Sequence, residues 1–230
     1  MFVSVKFLFT LYFKALYMTV SDVGLEAIQD IRKMMERSSR FISLSGWSGI
    51  SAGVCALAGA FAAQQRIAVY QEHFPGGEGC AACLQRELIL IAVVVFIVAF
   101  CCAGFFTWIK AKKDGVAIWG KTSRRLLWNT LLPMAAGGFV LWRMIGLEQY
   151  ELLAACSLIF YGLALVNGSK YTMGEVRYLG YAQIITGIAG LWLTGSGLYV
   201  WAIGFGLWHI VYGIAMWWKY DRGTKHETSV

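Results

Sequence analysis

Cys80-Ala81-Ala82-Cys83 is the one motif in this chain with intrinsic chemistry. Two cysteines separated by two residues can close a disulfide and exchange it, and a helix beginning there would favour a thiolate at its amino terminus. Arg86 follows close behind. A zinc site built from His73, Cys80 and Cys83 lacks a fourth ligand, so no metal centre is expected. Cys55, Cys101 and Cys102 read as small apolar packing residues, and Cys156 lies in another apolar run. His209 is the one ionisable side chain deep within such a run. Phe205, Gly206, Tyr212 and Gly213 are its helical neighbours, so an imidazole, a phenol and two small gaps would share a face. Two readings stand for it: a neutral histidine hydrogen-bonded to tyrosine or backbone, and a ligand or proton site. A bis-histidine haem needs a second buried histidine, which the sequence lacks. Asn129, Asn167 and Gln183 fall near one level and would form a polar layer, either as interhelical hydrogen bonds or as a solute vestibule. No Asp or Glu falls inside an apolar run, which argues against carboxylate-driven ion coupling.

The elements that hold these residues follow from composition. The chain has 230 residues, of which 58% are hydrophobic and 14% charged, with a mean hydropathy of +0.60. A soluble domain carries about 25% charged residues. Lipid is therefore the expected solvent, and a spanning helix needs ~20 apolar residues. Runs between charges give six spans: 41–63, 88–109, 126–147, 152–169, 178–194 and 198–218. The last two come from one stretch without Asp, Glu, Lys or Arg, Tyr178 to Trp218, divided at Gly195-Ser196-Gly197. Basic residues concentrate in cytoplasmic loops. Placing both termini inside collects 17 of the 20 Lys and Arg on one face. The expectation is an all-α, six-span protein with N-in/C-in topology in a bacterial cytoplasmic (inner) membrane. The net charge of +7 then reflects loop-end anchors against anionic headgroups, as in the run Lys110 to Arg125, and not nucleic-acid binding.

Residues 1–17 are rich in Phe and Leu but broken by Lys6 and Lys14, which fits an interfacial segment or an upstream start codon with the protein beginning at Met18. Residues 18–40 read as a cytoplasmic amphipathic helix, with Leu25, Ile28, Ile31 and Met35 on one face. Its 21–40 part can dock a partner or lie on the membrane. Residues 221–230 form a cytoplasmic tail. Ile159-Phe160-Tyr161-Gly162 and Ile210-Val211-Tyr212-Gly213 share a pattern that ends at Lys170-Tyr171 and Lys219-Tyr220, and Gly104 marks a weaker version in span 2. Three tandem parallel hairpins would produce this. Chance similarity among glycine- and aromatic-rich spans would produce it as well. Helices in lipid pack through small residues, and Ser45, Gly49 and Gly53 make such a strip in span 1, with Gly162 and Gly213 in spans 4 and 6.

The position of Cys80-x-x-Cys83 between the first two spans, with Arg86 behind it, resembles the disulfide-generating membrane proteins of the DsbB type. The likeness covers about ten residues. It implies quinone-linked thiol oxidation facing the periplasm, but the second outer-loop cysteine pair of that family is missing. Mitochondrial carriers, another three-hairpin family, are excluded by the absence of their proline-acid-basic signature. The segments Thr122–Leu127, Tyr161–Thr172, Arg177–Gly180 and Gly204–Ile214 resemble a group of six-span bacterial inner-membrane proteins over roughly residues 20–220. That resemblance supports the span count and implies no activity. The functional expectation is a non-enzymatic membrane protein without cofactor, acting in small-solute passage or as a membrane partner or sensor. The alternative is a periplasm-facing thiol-disulfide oxidoreductase using Cys80, Cys83 and Arg86.

Overall fold

The computed structural model describes residues 45–74, 79–115, 119–193 and 195–221. The expectations for 1–17, for the amphipathic helix at 18–40 and for the tail beyond Asp221 lie outside them. Every regular element among the described residues is helical. The helices are α1 (Gly46–His73), α2 (Ala81–Lys113), α3 (Lys121–Gly146), α4 (Leu153–Gly168) and α5 (Val176–Gly190). The last, α6, runs over Gly197–Tyr220. Within α6 the backbone alternates between α turns and the wider π turns, which cover Ala202–Trp208 and Trp217–Asp221.

Four segments are long and apolar enough to cross a membrane: α1, α2, Tyr150–Tyr171 around α4, and α6. The chain is thus an apolar, multi-helix membrane-type bundle. The remaining two helices fall short of the six expected spans for different reasons. α5 has 15 residues, so its helix is only about 22 Å long against a ~30 Å hydrocarbon core. α3 has 26 residues, but Arg125 and Arg143 leave 17 uncharged residues between them. Boundaries shift too. The segment 64–87, expected as a loop, is largely helical, because α1 continues to His73 and α2 starts at Ala81. Charges at Arg66 and Glu72 end an apolar run without ending a helix, since Gln, Arg, Ala and Glu are all good helix formers. α1 stops at Phe74, the residue before Pro75, where helical backbone is disfavoured.

Contacts between helices fix their directions. Gly59 meets Val95, and Arg66 pairs with Glu87 at 3.2 Å, so α1 and α2 are antiparallel. Gly137 against Phe160 and Thr130 against Gly168 make α3 and α4 antiparallel. A Cβ on Gly162 would lie 2.7 Å from the Gly180 carbonyl, and one on Gly187 would lie 2.8 Å from that of Ala155, which does the same for α4 and α5. α1 and α6 close most tightly. A Cβ on Gly46 would approach Trp217 N to 2.5 Å, and one on Gly53 the Gly206 carbonyl to 2.7 Å. Successive helices therefore alternate, and the start of α1 lies at the same end of the bundle as the finish of α6.

The hairpin pattern is only partly regular. Gly162 and Gly213 each take a neighbouring backbone at close range, from α5 and from α1 respectively, whereas Gly104 faces open space. α2 packs along α1 and makes no extensive contact with α3. Its outer side exposes Leu90, Val94, Ile97, Phe100 and Phe105, as a helix solvated by hydrocarbon does. Towards its basic end, Lys112 lies over the Trp108 ring at 5.5 Å.

Candidate functional site

α4, α5 and α6 bring a set of polar groups together in the apolar interior. Gln183 has no exposed surface and His209 is 6% exposed. The His209 ring is held from two sides: Tyr161 Oη lies 2.9 Å from Nε2, and the Gly204 carbonyl lies 3.3 Å from Nδ1. Gln183 Nε2 donates to the same carbonyl at 2.8 Å and stands 3.3 Å from His209 Nδ1. A neutral ring protonated at Nδ1, accepting from the tyrosine at Nε2, satisfies both nitrogens. Next to it Trp208 Nε1 donates to Thr186 Oγ1 at 3.0 Å, which ties α6 to α5 a second time. Phe205 and Tyr161 line the ring, with centroids 6.2 and 5.5 Å from the imidazole.

Backbone geometry explains why the polar groups meet here. Gly204 lies in the π-helical stretch, where the widened turn presents backbone carbonyls to side chains. A carbonyl freed inside a bilayer must find a donor within the protein, and Gln183 supplies it. Position 204 needs glycine because a Cβ would sit 2.2 Å from Leu158 Cδ2 and 2.9 Å from Gln183 Oε1. Leu158 is fully buried. The knot is therefore packed against aliphatic carbon. Two of its neighbouring polar atoms, Gln183 Oε1 and Tyr212 Oη, are buried without a partner among the described residues.

The other expected site residues distribute differently. Asn129 and Asn167 do meet, since Asn167 Nδ2 donates to the Asn129 carbonyl at 2.8 Å, but Asn129 turns its own amide onto Arg125 O of α3. Gln183 joins His209 and Gly204 instead of them, so the single polar layer resolves into a backbone clasp between α3 and α4 and a separate knot. The expected shared face around His209 also divides. Gly206 and Gly213 pack against α1 at Leu57 and Ile50, while the imidazole turns towards α4 and α5. Ser45 caps α1 by accepting from Trp47 N at 3.2 Å. Gly49 lies beside His209 O and Gly213 Cα on α6. Tyr161 and Gly204 were not singled out by sequence reading. The repeated Tyr161-Gly162 and Tyr212-Gly213 pairs were a signal for the first, and nothing in the sequence marks a π turn for the second.

At the far end of α1 and α2, Cys80 and Cys83 are joined in a disulfide with Cα atoms 5.2 Å apart. Cys80 caps α2, its sulfur accepting from Cys83 N at 3.2 Å. An open cleft of about 300 Å³ borders the pair, lined by Arg66, Val69, Tyr70, His73, Phe74, Leu84 and Glu87. Gly79 permits the close turn there, since a Cβ would strike the Phe74 ring at 2.7 Å. This disulfide links residues of a single helical turn, and closing so short a loop restricts the unfolded chain by only about 2 kcal/mol. It ties no two helices together, so its structural value is small. Arg86 is exposed, and the cleft is bordered instead by Arg66 paired with Glu87.

At the opposite end Glu175 receives Lys219 Nζ at 2.5 Å and Tyr220 Oη at 2.8 Å, clasping the start of α5 to the end of α6. Partial burial raises the Glu175 carboxyl, but the hydrogen bonds from Lys219 and Tyr220 outweigh it and hold the group below its ordinary value. Among the described residues no cluster of His, Cys, Asp and Glu is arranged to hold a metal ion. Compared with protein-family profiles, curated proteins and solved structures, the chain matches none.

Proposed function

We propose that this protein is a multi-pass protein of a bacterial inner membrane, crossing six times with both termini inside, and that it works without catalysis as a membrane partner or sensor. The observation that carries this choice over solute passage is the dry packing at its polar centre: Gln183 without exposed surface, and Leu158 against Gly204 with no room for one carbon more. A passage for polar solutes would be lined by water-reachable groups, whereas here Tyr161 bonds to His209, and His209 and Gln183 Nε2 both bond to the Gly204 carbonyl, with His209 and Gln183 buried. The basic flanks at Lys110 to Arg125 meet anionic headgroups, and residues 21–40 offer the partner surface. Thr186→Cys and Tyr212→Cys in sealed vesicles test this reading. Protection of both from a small charged thiol reagent added on either side supports the partner role. Labelling from one side, with relief by a solute, assigns passage instead.

A second reading has its own observation, the Cys80–Cys83 disulfide beside an open cleft, with little structural work to do. In it, the pair exchanges with substrate thiols outside the membrane and passes electrons to a lipid quinone. Replacing both cysteines by serine, with no change in the thiol state of periplasmic proteins, would remove it.

A further inference from the structure

The sequence treats Cys55 and Cys102 as apolar filler, but the α1–α2 hairpin places them together. With Gly59 on Val95 and Arg66 on Glu87, counting along both antiparallel helices brings Cys55 of α1 level with Val98 and Ala99 of α2, one turn from Cys102. Their side chains approach each other closely enough to interact across the seam. Both are half-buried and both are free thiols. Cys101, one residue away and so rotated by about 100° around α2, is exposed. The close approach has a cause: a Cβ on Gly59 would fall 2.3 Å from Val95 Cγ2, so the missing side chain is what lets α2 settle this near α1. Disulfide formation needs facing Cα atoms within about 7 Å, and a glycine contact one turn away favours that separation.

We propose that Cys55 and Cys102 are a second redox site, a dithiol inside the hairpin that oxidises to a disulfide and staples α1 to α2. Closure breaks two S–H bonds and forms one S–S bond, and two electrons and two protons leave for the oxidant. The flanking residues Val54, Ala56, Phe100 and Ala103 are apolar. The oxidant is accordingly a lipid-soluble two-electron acceptor of the quinone class, which departs as the hydroquinone. The site is independent of Cys80–Cys83. On α2, residues 83 and 102 are 19 positions apart, which is about 28 Å along the axis and far beyond thiol-exchange distance. Unlike the CxxC disulfide, this bond would join two helices, so its formation changes how freely α2 moves on α1.

The test uses the full chain in lipid vesicles, treated with a short-chain benzoquinone whose ring positions are all substituted so that thiols cannot add to it, then alkylated, digested without reductant and analysed by mass spectrometry. The expected product is one cross-linked peptide pair holding Cys55 and Cys102, lighter by two hydrogens and separated by dithiothreitol, with Cys101 and Cys156 alkylated. In Cys102→Ser, Cys55 should be alkylated as well. Benzoquinone should act at least tenfold faster than a charged, water-soluble oxidant. Alkylation of both Cys55 and Cys102 after quinone treatment overturns the site. A Cys55–Cys101 cross-link overturns the pairing, and equal rates with both oxidants overturn the oxidant class.

Discussion

Tyr161, Gln183 and His209 form a chain of hydrogen bonds in which each member has a different cost of removal. Tyr161→Phe deletes the donor to His209 Nε2 and leaves the rest in place. The loss should be about 1 kcal/mol, the usual scale for one hydrogen bond between membrane helices. Gln183→Leu removes the shorter of the two side-chain hydrogen bonds to the Gly204 carbonyl in a fully buried setting, leaving it only His209 Nδ1 at 3.3 Å. It should cost more, about 1–3 kcal/mol. Thermal unfolding in detergent should rank the variants in that order, and equal midpoints for all three proteins would show that the knot contributes nothing. Sequence reading found His209 and Gln183 because a histidine and an amide are conspicuous among Leu, Ile and Gly. Tyr161 stands in the sequence only as half of a repeated Tyr-Gly pair, and its role depends on the azimuth of α4 against α6.

At the scale of the helix, glycines separate into those that meet a neighbour and those that do not. Gly213 faces Ile50 N, where a Cβ would come within 2.5 Å of backbone, while Gly138 faces open space. Gly213→Ala should push α6 off α1 and lower folded yield severalfold, and Gly138→Ala should behave as wild type or gain slightly from helix propensity. Monodispersity after detergent extraction compares them directly. The clasp between α5 and α6 adds a pH dependence. Glu175 has a folded pKa below its ordinary value, so its contribution is present at neutral pH and is lost as pH falls through the lowered value. Glu175→Gln should flatten the acid limb of the stability profile below pH ~4.5, with little effect where both forms lack the ion pair. An unchanged acid limb in the variant would show that the clasp contributes no stability.

For the molecule as a whole, alternation of the six helices predicts where each connection lies. A reporter inserted after Gly195, at a turn of positive φ, should sit on the opposite side of the membrane from one fused at residue 230. The same holds for an insertion after Leu147. Reporters active at 147 and 195 in one compartment and at 230 in the other would support six crossings. If 195 and 230 share a compartment, α6 does not cross. The shortness of α5 makes this the informative experiment, since a helix of about 22 Å spans only with local thinning of the bilayer or help from flanking residues.

Composition and charge spacing were enough to determine a helical, lipid-solvated chain and the approximate positions of its apolar segments, because burial in hydrocarbon allows few charges and forces helix formation. They misplaced ends such as His73, since a charge halts an apolar run while leaving backbone hydrogen bonding untouched. The CxxC motif was legible because its spacing lies within one turn. Which residues meet across helices was decided only by the fold: Tyr161 with His209, Gln183 with Gly204, Cys55 with Cys102. Those pairings depend on rotation about each helix axis and on close glycine contacts between helices, and neither quantity is written in the order of residues along one helix.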